Sequence, residues 1–148
     1  MDRPGVADVE IAFPPSPEFV GVVRYVVAAL ARLGGLEPEV VEDSKLAVSE
    51  ACTNAVTMTV REGHQEPVLV EGRVEGDRLH LTILDRSTSP LNGERHERGS
   101  TDSLDFSFER GLSLPLLESL VDEIEFRPRD GGGTEVRMAL SGRGREEA

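Results

Sequence analysis

At Pro67 the apolar spacing of this chain changes from a helical to an alternating period, and that change decides the fold class. Before it, Phe19, Val22, Val23, Val26, Val27 and Leu30 recur at helical spacing. Ser16, Pro17 and Glu18 form the start of that helix, and Gly34 with Gly35 end it. A second helix is expected from near Pro38 to about Val60, after which Glu62 and Gly63 open a loop. Beyond Pro67, VLVEGRV and LHLTILD alternate on either side of Glu75, Gly76 and Asp77, a short turn of hairpin type. Glu123 to Arg127 and Thr134 to Leu140 form a second hairpin around Arg129 to Gly133. Between the hairpins, Leu112, Leu116, Leu117, Leu120 and Val121 mark a third helix, which tolerates Pro115 in its first turn. Val6 to Phe13 alternates loosely enough for an edge strand, closed by Pro14 and Pro15. Strands concentrated after two helices, with a third helix between hairpins, give an α+β two-layer sandwich: a mixed, mainly antiparallel sheet with helices on one face.

The second helix has two faces with different work to do. At about 100° per residue, Val41, Val48, Ala51, Cys52, Ala55, Met58 and Thr59 share one side, and Asp43, Glu50, Asn54, Thr57 and Arg61 gather on the other. The first side packs. The second sets a carboxylate and a carboxamide one turn apart, a pair suited to orienting a hydroxyl and to holding an oxygen-seeking cation such as Mg²⁺. Asn is a poor mid-helix residue because its amide competes for the backbone. Taken alone, however, Glu-x-x-x-Asn on a helix is more often a solvated face.

Charge narrows the range of partners. Lys and Arg number 16 against 28 Asp and Glu, a net charge of −12. Such a chain is repelled by phosphate backbones and anionic lipid, so neither direct nucleic-acid contact nor membrane binding is expected. No apolar run approaches the ~18 residues of a membrane span and no leader pattern opens the chain, which reads as cytoplasmic. The chain's one cysteine, Cys52, falls on the packing side of the helix as a small buried hydrophobe. The 148 residues suit a single domain with its core from about 6 to 141 and a disordered tail at 142–148. Residues 86–107 lack periodicity and read as a loop too long for a mere connector.

Four segments in register carry a resemblance: SEACTNAV, LHLTILDRSTS, ERGLSLPLLESLVDEIEF and GGGTEVRMAL. In this order and spacing they resemble the Bergerat ATP-binding fold shared by gyrase, histidine kinases and MutL, the GHKL ATPases. More narrowly, the chain resembles the anti-sigma-factor serine/threonine kinases of bacterial partner-switching systems. The resemblance implies that Glu50 is the general base or hydroxyl-orienting group and that Asn54 helps fix Mg²⁺ on the phosphates of ATP. It implies that Asp85 accepts the adenine amino group, that Thr134 lies near the adenine, and that Arg110, Gly111 and Leu112 set the third-helix entry against the phosphates. The implied partners are a sigma factor and an anti-sigma antagonist protein, with the chain as a homodimer.

The chain departs from that pattern where Asp-x-Gly-x-Gly is expected. It has Ser87 and Ser89 at the glycine positions, and Ser113 at another place where glycine is frequent. A serine adds a Cβ and removes backbone freedom, so Ser87 and Ser89 are expected to narrow the adenine site, and glycine at both to tighten ATP binding. An alternative reading follows, a non-catalytic protein-binding module with a degenerate nucleotide site.

Overall fold

A computed structural model describes residues 8–88 and 114–142 of the chain. Several expectations fall elsewhere: the strand start at Val6, the loop beyond Thr88, the helix entry at Leu112 and the tail after Gly142 lie outside the described residues. Strand β1 (Val9–Phe13) leads into a 3₁₀ turn, Pro17–Phe19, and then into helix α1 (Val20–Leu33). Ser16 has the extended backbone of a helix cap but makes no capping bond, because its hydroxyl donates to Glu18 Oε1 at 2.5 Å. The regular helix therefore begins later than the sequence suggests. It buries Val23, Val27, Ala28, Leu30 and Ala31, whereas Val22, assigned to the same apolar face, is 54% exposed. At its end Gly35 takes φ +78°, and Leu36 N–H returns to Ala31 C=O at 3.1 Å.

Helix α2 (Pro38–Arg61) packs against α1. Its buried face includes every residue expected there and extends to Val40, Ser44, Ala47 and Val56. Ser44 is tolerated in the core because its hydroxyl donates back to Val41 C=O at 2.7 Å. Cys52 is fully buried, and desolvation pushes its thiol up to about 12, so it packs as an unreactive small side chain.

The sheet has the order β1-β2-β3-β5-β4, with β2 (Val68–Glu75), β3 (Arg78–Asp85), β4 (Glu123–Pro128) and β5 (Thr134–Ser141). Every pairing among the described strands is antiparallel, so the α+β sandwich stands and the parallel component implied by a mixed sheet is absent among them. The β2–β3 turn uses Gly76 at φ +63°, as a tight hairpin requires. Leu79, Leu81 and Ile83 of the central strand β3 are fully buried beneath the helices. Burial of each such side chain is worth about 1.5–3 kcal/mol relative to exposure. Gly72 points inward from β2 because α1 lies close above it; a Cβ there would sit 2.8 Å from Leu30 Cδ2. A short helix α3 (Leu114–Leu120) buries Leu117 against this layer. Among the described residues no helix is long and apolar enough to cross a membrane.

Candidate functional site

Antiparallel pairing of β3 with β5 places Asp85 directly opposite Thr134. Helix α2 passes over that end of the sheet and supplies Ala51, Asn54, Ala55 and Met58. With Ser87, Leu117, Phe126 and Val136 these residues line a half-open cavity of about 30 Å³. Of the residues singled out from sequence, Asn54, Asp85, Ser87 and Thr134 come together here. Glu50 does not line the cavity; it stands one turn before Asn54 on α2, half-buried, with Oε1 shielded from solvent. Arg110, Gly111 and Leu112 lie outside the described residues.

Asp85 is the electrostatic centre of the cavity. Ser87 donates both its backbone N–H and its hydroxyl to Asp85 Oδ1, each at 2.6 Å. Thr134 in turn donates its hydroxyl to Ser87 C=O at 2.7 Å. Ser87, expected to narrow the adenine site, has its hydroxyl held on Asp85, and its side chain is part of the site's scaffold. Burial drives the Asp85 carboxyl from 3.8 up to about 6, against the two Ser87 hydrogen bonds and the charge of Arg129, which favour the ionised form; the Glu62 charge adds to the rise.

A raised carboxyl pKa in the folded state means that the fold binds this proton more tightly than the unfolded chain. The stability it contributes is fully present below about pH 3.8 and is lost as pH rises through about 6. Asp85→Asn is therefore expected to be more stable than the parent at pH 7.5, by up to roughly 3 kcal/mol, and to lose that advantage near pH 4. Urea unfolding midpoints at the two pH values test this; an advantage that does not change with pH would mean that Asp85 ionisation is not its source.

Sequence reasoning missed the scaffold around Asp85. Arg129 Nη1 donates to Asp85 C=O at 3.0 Å, and Arg86 Nη1 donates to Gly132 C=O at 2.7 Å. These bonds dock the β4–β5 turn against the end of β3. Gly133 makes the docking possible, since it has φ +121° and a Cβ there would collide with Asp85 O. Glu62, read only as the opening of a loop, accepts Thr88 N–H on both carboxylate oxygens, at 2.9 and 3.0 Å. The one signal that pointed here was the Gly131 to Gly133 run, which a hairpin turn explains equally well.

Asn54 answers the question its helix position raised. Its Oδ1 is shielded from solvent and has no hydrogen-bond partner among the described residues. Buried polar atoms are rarely left that way, and a carboxamide oxygen is a suitable ligand for Mg²⁺, which keeps most of its waters and takes few protein oxygens. The donor set thus fits a metal-bound nucleotide.

The profile of the histidine kinase-like ATPase domain matches residues 13–140. The chain belongs to the histidine kinase-like ATPase family. Within that family it is 33% identical over 138 residues to the serine-protein kinase RsbW of Bacillus velezensis, covering 90% of this chain and 86% of that protein. It is 32% identical over 138 residues to RsbW of Bacillus subtilis, with the same coverage, and 34% identical over 129 residues to that of Bacillus pumilus, covering 83% and 80%. Among solved structures, the RsbU and RsbW domains of a Mycobacterium tuberculosis protein match with a TM-score of 0.62 at 18% identity. That match covers 90% of this chain and 31% of the other, and it bears on the fold of this ATPase-family domain.

Proposed function

We propose that this chain is an ATP-dependent serine/threonine protein kinase of the anti-sigma type. It phosphorylates an anti-sigma antagonist protein, sequesters a sigma factor, and works in the cytoplasm as a homodimer. The observation that carries the reading is the convergence of Asn54, Asp85, Ser87 and Thr134 on one cavity in a chain about one-third identical to serine-protein kinases over most of its length. Asp85 accepts the adenine amino group and Thr134 lies beside it. Asn54 holds Mg²⁺ through Oδ1, and the ion, when bound, neutralises charge on the phosphates. Glu50, one turn away on the same helix, orients or deprotonates the acceptor hydroxyl. The acidic balance of the chain, −12 overall, supports protein partners over nucleic acid. The kept Glu50 and Asn54, with the intact Asp85 to Thr134 arrangement, favour an enzyme over a non-catalytic module.

Calorimetric titration with ATP, with and without Mg²⁺, tests the reading. The parent is expected to bind more tightly when Mg²⁺ is present. Asn54→Ala should lose that gain, weakening Mg²⁺-ATP on the order of tenfold or more while ATP alone binds as before. Absence of binding in the parent would sink the kinase reading in favour of the protein-binding module.

A further inference from the structure

At the Asp85 end of the cavity the hydroxyl groups share one hydrogen-bonding sense. Thr134 has its hydroxyl hydrogen on Ser87 C=O, and Ser87 has its own on Asp85 Oδ1. Both hydroxyls are left with lone pairs only. Asp85 Oδ1 is further occupied by Ser87 N–H, whereas Oδ2 takes no hydrogen bond among the described residues. Asn54, farther along, presents both senses, an acceptor in Oδ1 and donors on Nδ2. A ligand reaching the Asp85 end meets acceptors and must bring donors there.

We propose that Ser87 sets the base selectivity of this cavity: by placing its hydroxyl hydrogen on Oδ1 it holds Asp85 as an acceptor through Oδ2, so that a purine with a 6-amino donor is taken and one with a 6-oxo group is rejected. The inference rests on the nucleotide reading above and names the residue that gives that site its preference. Ser87 is a positioning residue, acting through Asp85. A glycine at this position keeps the N–H bond to Oδ1 and loses the hydroxyl. The carboxylate is then held by one donor and is free to turn. With less to favour its charged form in so buried a place, it also takes up a proton more readily. A protonated carboxyl is a donor and can face a 6-oxo group. The serine thus replaces the freedom of a glycine with a fixed hydrogen-bond polarity.

The test compares ADP with inosine diphosphate, which differ at the 6-position, by calorimetry on the full chain. The parent is expected to bind ADP far more tightly than inosine diphosphate, because a 6-oxo group would leave buried acceptors facing an acceptor. In Ser87→Ala the ratio of the two dissociation constants should shrink by about tenfold, the effect of one hydrogen bond to a charged group. Ser87→Thr, which retains a hydroxyl, should restore it. Ser87→Gly carries the same comparison should the alanine variant fail to fold, with near-ultraviolet circular dichroism as the check on packing. A ratio unchanged in the folded variant overturns the role of Ser87 and leaves the nucleotide reading standing. Equal affinity of the parent for both nucleotides overturns it too. If the parent binds neither, the nucleotide reading falls and the inference with it.

Discussion

Glu50→Gln is expected to reduce phosphoryl transfer to the antagonist protein by a factor on the order of 10² to 10⁴ while leaving ATP affinity near that of the parent. The range is that of a lost general base. The separation of the two effects comes from geometry: Glu50 stands apart from the cavity formed around Asn54, Asp85, Ser87 and Thr134, yet shares the α2 face of Asn54. Glutamine keeps the size and loses the capacity to take a proton. Single-turnover transfer, measured alongside calorimetric binding of Mg²⁺-ATP, reads both effects. An unchanged rate would remove Glu50 from the chemistry, and a parallel loss of affinity would move it into the binding apparatus.

Gly133→Ala is expected to be the most damaging small substitution in the site. Its methyl would collide with Asp85 O, a contact with backbone that no rotamer relieves, and its φ of +121° belongs to a region that side chains rarely enter. The two costs act together, so a loss on the order of 3 kcal/mol or more in unfolding free energy is expected. Nucleotide affinity should fall as well, because the displaced strand end carries Thr134 away from Asp85. Gly132→Ala is the control. It has φ +103° but open space where a methyl would lie, so strain alone applies, about 1–3 kcal/mol. Urea midpoints of the two variants, compared with the parent, separate the steric contribution. Equal losses in both would mean that the contact with Asp85 O is relieved by a small shift of the turn.

The helices and hairpins are legible in the chain because each follows from local spacing. Alternation over VLVEGRV and LHLTILD matches β2 and β3 with the turn at Gly76, and the apolar stripe of α2 runs from Val41 to Thr59. Ser16 departs from its expected capping role because a serine hydroxyl beside Glu18 has a charged acceptor within reach. Val22 departs from the core because the stripe on α1 is wider in sequence than the surface its neighbours cover.

The candidate site divides along the same line. Periodicity alone put Glu50 and Asn54 on one helix face and Asp85 at the end of a strand, since these are relations between residues a few positions apart. Tertiary structure decided that Asp85 faces Thr134, that Arg129 and Arg86 tie the glycine turn to β3, and that Ser87 holds Asp85. A hydroxyl or guanidinium takes whichever acceptor the fold brings within about 3 Å. That choice depends on strand register and helix placement set by the whole core, and no local pattern in the chain carries it.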